Sequence, residues 1–337
     1  MSQIRVAING FGRIGRNAFK IAYLRSDIDV VAINDIADTK TLAHLLKYDS
    51  NYGTYQEEIS SGEGEITVGG KSIKVLSEPD PASLPWTDLG VEVVIESTGM
   101  FTKKEDASKH LQAGAKKVVI SAASASDDID TIILGVNEDK IHKADDIINT
   151  ASCTTNSLGA LIAVLDAEFG VQKSLLTTVH SYTKDQALQD TPTQDLRTGR
   201  NAAENIVPMA TKSAINIAKA LPQLDDKIDG LSMRVPTSVV SVSDVSVLLG
   251  RNTTVQEINE VLKAASKEPF YEGILGVSEE PLVSRDYIGS SYSGVVDLLL
   301  TKVAGGNLAK IIVWYDNEWG YSNRLVELVA DVGRTTR

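Results

Sequence analysis

At 337 residues the chain has room for two domains, and 42% hydrophobic against 23% charged residues is the balance of a soluble globular protein. A net charge of −12 disfavours nucleic acid and anionic membrane surfaces, whose binders usually carry a basic face, and no apolar run approaches the roughly 20 residues that span a bilayer. One cysteine excludes an intrachain disulfide and fits a reducing compartment, and no basic-then-apolar leader opens the chain, so the expectation is a cytoplasmic enzyme.

Ile4-Arg5-Val6-Ala7-Ile8-Asn9 is short, apolar and β-branched, as a buried strand should be. Gly10-Phe11-Gly12-Arg13-Ile14-Gly15 follows and matches G-x-G-x-x-G; a helical pattern runs from Arg13 to about Leu24, with Ile14, Ala18, Ile21 and Ala22 on one side. Val30 to Ile33 reads as a second strand, with Asp35 just past its end. Three glycines alone mark any tight turn. Strand, glycine loop, helix, second strand and an acid about 20 residues on together mark a dinucleotide site. Gly10 permits the turn, Gly12 lets the backbone approach a pyrophosphate, and Gly15 allows close helix–strand packing. The helix N-terminus faces the phosphates. Asp35 accepts from ribose hydroxyls and repels a 2′-phosphate, which favours NAD over NADP. The plainer alternative is a βαβ unit with no ligand.

Further strands are expected at Val93 to Ile95, Lys117 to Ile120 and Asp130 to Leu134. Small polar residues follow each, Ser97-Thr98-Gly99, Ser121-Ala122 and Gly135-Val136-Asn137, where an open parallel sheet binds its ligands; these clusters, with Thr98, Gly99 and Ser121 foremost, are candidates to line the crevice, though an ordinary loop explains each singly.

Ala151-Ser152-Cys153-Thr154-Thr155-Asn156 precedes Leu158, Leu161, Ile162, Leu165 and Phe169, a helical spacing that places Cys153 at a helix N-terminus. The dipole and the free N–H groups there favour thiolate. Taken alone, a single cysteine is more often an inert, small buried hydrophobe. Ser174 to Val179 forms a strand that delivers His180. His44, His110 and His142 lie in polar or helical stretches and read as solvated surface residues. Cysteine and histidine need be close only in space for nucleophilic catalysis. Residues 182–207 are polar and aperiodic, a long loop of the functional kind. Arg234 interrupts an apolar and small-residue neighbourhood, either as half of a buried ion pair or as an anion ligand. Thr254-Val255-Gln256-Glu257 opens a helix to about Ser266, Val295 to Leu300 and Ile311 to Trp314 are strands, and Trp319 to Val332 is a closing helix. No metal-ligand spacing is present.

Read end to end, the chain resembles the phosphorylating glyceraldehyde-3-phosphate dehydrogenases of the bacterial and eukaryotic type. The resemblance rests on the segments Ile8 to Arg16, Leu45 to Ser50, Glu96 to Gly99, Ala151 to Asn156, His180 to Thr183, Ser232 to Thr237 and Trp314 to Tyr321. It implies an α/β fold: a Rossmann-type NAD-binding domain over 1–151, an α+β catalytic domain with a mixed or antiparallel sheet over 152–316, and a C-terminal helix, 317–337, packed back on the first. It implies a thioester on Cys153, with His180 as acid–base partner. It puts the substrate phosphate near Thr183 and Arg234 and inorganic phosphate near Ser152, Thr154 and Thr211. Asn317 resembles the residue that orients the nicotinamide amide. The resemblance also implies a homotetramer, with residues 182–207 reaching a neighbouring subunit's cofactor.

Pro79 stands where an arginine usually follows Glu78, Ala123 replaces a proline, Thr193-Gln194 replaces His-Lys, and Lys212 follows Thr211 where glycine is usual. Lys212 either strengthens phosphate binding or points to solvent. Pro192 matches the NAD-preferring form. Two alternatives stand beside the glycolytic reading: the related erythrose-4-phosphate dehydrogenase, from which Asn34-Asp35 and Thr211 differ, and a non-catalytic NAD-binding or adhesion protein, against which the Cys153, His180 and Arg234 set argues.

Overall fold

The structure, a computed structural model, describes residues 3–337. The chain divides into two compact units. The first holds residues up to Ile132, Asp139–Ala151 and Ser322–Arg337; the second holds Ile133–Glu138 and Ser152–Tyr321.

The first unit is built on a nine-stranded sheet. From one edge its strands are Asp130–Thr131, Ile147–Asn149, Lys117–Ile120, Val93–Glu96, Ile4–Asn9, Ile28–Asn34 and Lys71–Leu76, all parallel, then the antiparallel Glu65–Val68 and Ile59–Gly62. Val93–Glu96 and Ile4–Asn9 are buried along nearly their whole length, as strands covered on both faces must be. The order of connection reverses between these two neighbours, so the ligand crevice of this doubly wound sheet lies outside their carboxyl ends. Gly10 and Ser97–Gly99 sit there. The helix that follows the glycine loop runs Arg13–Tyr23. The strand expected over Asp130–Leu134 pairs only at Asp130–Thr131. The side chain of Asn137 turns back to accept the Ile133 N–H at 2.8 Å, which bends the chain out of the ladder while Ile132 and Ile133 remain buried. The mostly exposed strand Ile59–Gly62 has no apolar pattern, and the helix Thr39–Lys47, which buries Leu42, Ala43 and Leu46, was likewise not singled out in the sequence.

The second unit has an eight-stranded mixed sheet, ordered Val207–Ala210, Ile228–Val235, Val171–Ser181, Ser241–Leu249, Leu308–Tyr315, Gly294–Asp297 and Leu275–Ser278, with Lys302–Ala304 paired on Leu308–Tyr315. Val171–Ser181 and Ile228–Val235 run parallel; Val171–Ser181 and Ser241–Leu249 run antiparallel. The strand expected to Leu300 ends at Asp297, whose carboxylate accepts the Leu299 N–H and starts a short 3-10 turn. The helix Cys153–Phe169 is buried on almost every side, including Thr154, Thr155, Asn156 and Ser157. Among the described residues no helix is long and apolar enough to cross a membrane.

Candidate active site

Cys153 is the first residue of its helix. Ser152 caps it, its hydroxyl accepting the Thr155 N–H at 3.2 Å. His180 stands at the end of Val171–Ser181 and is 4% exposed. The parallel neighbour Ile228–Val235 is in register so that Arg234 lies opposite His180. Three residues far apart in sequence thus converge through one helix start and one pair of strand ends.

The Cys153 Sγ lies 3.3 Å from His180 Nε2. On the other side of the ring, Nδ1 is 2.7 Å from the Ser181 carbonyl oxygen and 3.0 Å from Arg234 Nη1. A guanidinium only donates, and the two hydrogens of Nη1 have acceptors in the Ser181 carbonyl (3.1 Å) and the Thr183 hydroxyl (3.0 Å). Nδ1–H therefore donates to Ser181, and Nε2 turns a bare lone pair toward the thiol. Burial pulls His180 down to about 3, with the Arg234 charge adding to it. Burial also pushes the Cys153 thiol up, opposed by the Arg234 charge and by the Thr154 N–H. Desolvation thus opposes the ionisation that a helix start favours. Arg234 has no carboxylate partner among the described residues. Its Nε is buried and unpaired, an orphan donor that suits an anion. Thr183, half-buried, donates its hydroxyl to Asp185 and accepts from Arg234.

Ser152 and Thr211 are joined through Ser213, which sequence reasoning missed. Ser152 Oγ is 3.3 Å and Thr211 Oγ1 2.9 Å from Ser213 Oγ. Ser213 opens the helix Ser213–Ala220, and the Lys212 side chain beside it is exposed. The Thr154 hydroxyl is not in this cluster; it is 2.8 Å from the hydroxyl of the buried Tyr315. Tyr315 also sets its ring edge-on to His180, with centroids 6.1 Å apart. Asn317 is held from behind. The Ser181 N–H donates to Ser241 Oγ (3.1 Å), so the Ser241 hydroxyl donates to Asn317 Oδ1 (3.0 Å), and the Asn317 amide nitrogen is left to donate elsewhere. Val240, with φ +70°, holds that corner in a backbone region β-branched residues avoid, and its carbonyl accepts the Ser181 hydroxyl at 2.7 Å.

In the first unit the glycine loop fits a pyrophosphate. Gly10 has φ +91°, and a Cβ there would come within 2.6 Å of Thr98 N; a Cβ at Gly15 would lie 2.1 Å from the Gly10 carbonyl. At Gly12 a Cβ would meet nothing within 4 Å, so the backbone there is open to approach. No side chain caps the helix that starts at Arg13, and a helix N-terminus favours an anion. Asp35 accepts the N–H of Phe11 (2.7 Å) and of Ala37 (3.0 Å), and two lone pairs remain for ribose hydroxyls. Thr98 accepts the Met100 N–H at 3.0 Å, Gly99 (φ +76°) faces open space, and the Ser121 N–H goes to the Glu96 carbonyl at 2.9 Å. The Phe11 side chain is buried, Ile14 is half-buried, and the Arg13 guanidinium turns to Asp49 (2.7 Å).

Residues 4–104 match the NAD binding domain, and residues 152–317 the C-terminal domain, of glyceraldehyde 3-phosphate dehydrogenase. The chain belongs to the glyceraldehyde-3-phosphate dehydrogenase family. It is 53% identical over 327 residues to the Bacillus cereus glyceraldehyde-3-phosphate dehydrogenase 1, and 53% over 328 to that of Geobacillus stearothermophilus, with 97% of each chain covered. The Thermotoga maritima glyceraldehyde-3-phosphate dehydrogenase is 52% identical over 96% of this chain and 97% of its own. The NAD-binding domain of this family is thus present with its glycine loop, and the family's C-terminal domain spans Cys153, His180 and Arg234.

Proposed function

We propose that this protein oxidises D-glyceraldehyde 3-phosphate to 1,3-bisphosphoglycerate with NAD and inorganic phosphate, through a thioester on Cys153. The observation that carries this is the bare Nε2 lone pair of His180 facing the Cys153 thiol at 3.3 Å, in a chain with an NAD-binding domain.

As the sulfur bonds to the aldehyde carbon, His180 Nε2 takes the thiol proton and passes it to the former carbonyl oxygen, giving a hemithioacetal. NAD, when bound, supplies the acceptor for the hydride that leaves this carbon. His180 takes back the hydroxyl proton as the C=O bond reforms, leaving the thioester. A phosphate oxygen then adds to the thioester carbon, the C–S bond breaks, and the sulfur recovers its proton from Nε2. One proton is released overall. The Ser181 carbonyl keeps the imidazole in the tautomer that every step needs.

Arg234, with its unpaired Nε, and Thr183 take the substrate phosphate; Ser152, Thr211 and the added Ser213 take inorganic phosphate. Thr154 contributes its hydroxyl only by giving up Tyr315. Lys212 raises the positive potential at this second site from its exposed position. Gly10 to Gly15, Asp35, Thr98, Gly99 and Ser121 hold the dinucleotide, and Asn317 donates its free amide N–H to the nicotinamide carboxamide. The reading includes a cytoplasmic homotetramer with the catalytic domain over 152–316, in which residues 182–207 approach a neighbouring subunit. An absorbance assay at the NADH band tests it: turnover requires glyceraldehyde 3-phosphate, NAD and inorganic phosphate together. A preference for erythrose 4-phosphate, or NAD binding without any turnover, would replace it.

A further inference from the structure

We infer that His110 is a positioning residue for the dinucleotide, acting through the buried carboxylate of Glu96 on the loop Ser97 to Met100. This rests on the reading that the crevice takes NAD. His110 lies on the helix Lys104–Gln112 and, contrary to its solvated look in the sequence, is 0% exposed; Glu96, at the end of its strand, is 1% exposed.

The hydrogen bonds fix the tautomer of His110. The Trp86 indole N–H can only donate, and it points at His110 Nδ1 from 3.0 Å. Nδ1 is therefore bare, and the ring proton sits on Nε2, which donates to Glu96 Oε2 at 3.1 Å. Asn9 Nδ2 donates to the same oxygen at 2.6 Å. The Thr98 N–H (2.8 Å) and the Thr98 hydroxyl donate to Oε1. Four donors surround the two oxygens of Glu96, which has no lysine or arginine partner among the described residues. Desolvation offsets most of what such a group adds to stability. Its effect is geometric, because two of its four donors belong to Thr98. They bend the loop back, so that Gly99 faces open space and the Thr98 hydroxyl oxygen can accept the Met100 N–H. Ser97 donates to the Gly10 carbonyl at 2.7 Å and ties the same loop to the glycine turn. From the other side, Asn34 Nδ2 donates to Asn9 Oδ1 at 2.7 Å and keeps the Asn9 amide facing Glu96.

Glutamine at position 110 can accept from Trp86 and donate to Glu96; methionine can do neither. In His110→Met, the NAD dissociation constant measured by calorimetry, and the KM for NAD, should rise about tenfold, while kcat at saturating NAD stays within about threefold. The rate of Cys153 alkylation without NAD should not change. His110→Gln should stay within about twofold of the parent, and Trp86→Phe, which removes only the indole donor, should fall between the two. The inference is overturned if His110→Met lowers the melting temperature but leaves NAD binding intact, or if His110→Gln weakens NAD as much as methionine does. Should His110→Met not fold, Trp86→Phe decides, and unchanged NAD affinity there overturns the proposal. Failure of the unaltered protein to bind NAD would instead remove the crevice reading, and this inference with it.

Discussion

Cys153 and His180 are each pushed by burial toward the neutral form, yet the proton between them can move without changing the net charge of the pair. Burial therefore penalises the thiolate–imidazolium pair far less than it penalises ionising either group alone, and the Arg234 charge and the Thr154 N–H favour the sulfur anion. Replacing His180 by asparagine should lower kcat about a hundredfold to ten-thousandfold. Iodoacetamide modification of Cys153 at neutral pH should slow in parallel; unchanged alkylation would remove His180 as the base. Cys153→Ser should abolish NADH formation and keep NAD binding, as read by calorimetry. Arg234→Leu should raise KM for the phosphorylated aldehyde far more than for an unphosphorylated one; equal effects would take Arg234 out of the phosphate site. Asp35→Gly should weaken NAD and improve NADP relative to it, measured as the ratio of kcat/KM values.

At the scale of elements, the glycine loop and its helix were legible because each residue there answers a local steric demand. Gly10 needs its positive φ, and Gly15 leaves no room for a methyl group beside the Gly10 carbonyl. Gly15→Ala should accordingly lower the melting temperature and weaken NAD together. Cys153 at its helix start and His180 at its strand end were equally readable from periodicity. The register that sets Arg234 beside His180 was not, because parallel pairing is a tertiary choice that no local pattern encodes. His110 looked solvated because its helix is polar in sequence, with Lys104, Glu105, Asp106 and Lys109 around it; its partners Trp86 and Glu96 come from elsewhere in the chain. Ser213 and Tyr315 were missed for the same reason. A hydroxyl in an apolar or small-residue run carries no mark of what it will face. The position of Cys153 at a helix end was legible, whereas the desolvation that opposes ionising its thiol comes from tertiary packing and was not.

For the molecule as a whole, the two units divide the labour: one carries the glycine loop and Asp35, the other the thiol, the imidazole and the guanidinium. The first unit is also clasped by its last residue, since Arg337 donates to Glu92 at 2.8 Å and holds that carboxyl down at about 2. The folded-state value lies below the ordinary glutamate value, so this contribution is present above pH 4.5 and fades as the pH falls toward 2. Arg337 is exposed and its charge is screened by solvent, so the effect is small. Arg337→Ala should show a slightly lower melting temperature than the parent at pH 7, and the gap should close by pH 2. In the proposed reaction Cys153 carries the acyl group. Mixing the enzyme with NAD and glyceraldehyde 3-phosphate in the absence of inorganic phosphate, then quenching in acid, measures it directly. A burst of one NADH per subunit is expected, with a phosphoglyceryl group on the Cys153 peptide by mass spectrometry that is released when phosphate is added. No burst, or an acyl group on any other residue, would contradict that reaction.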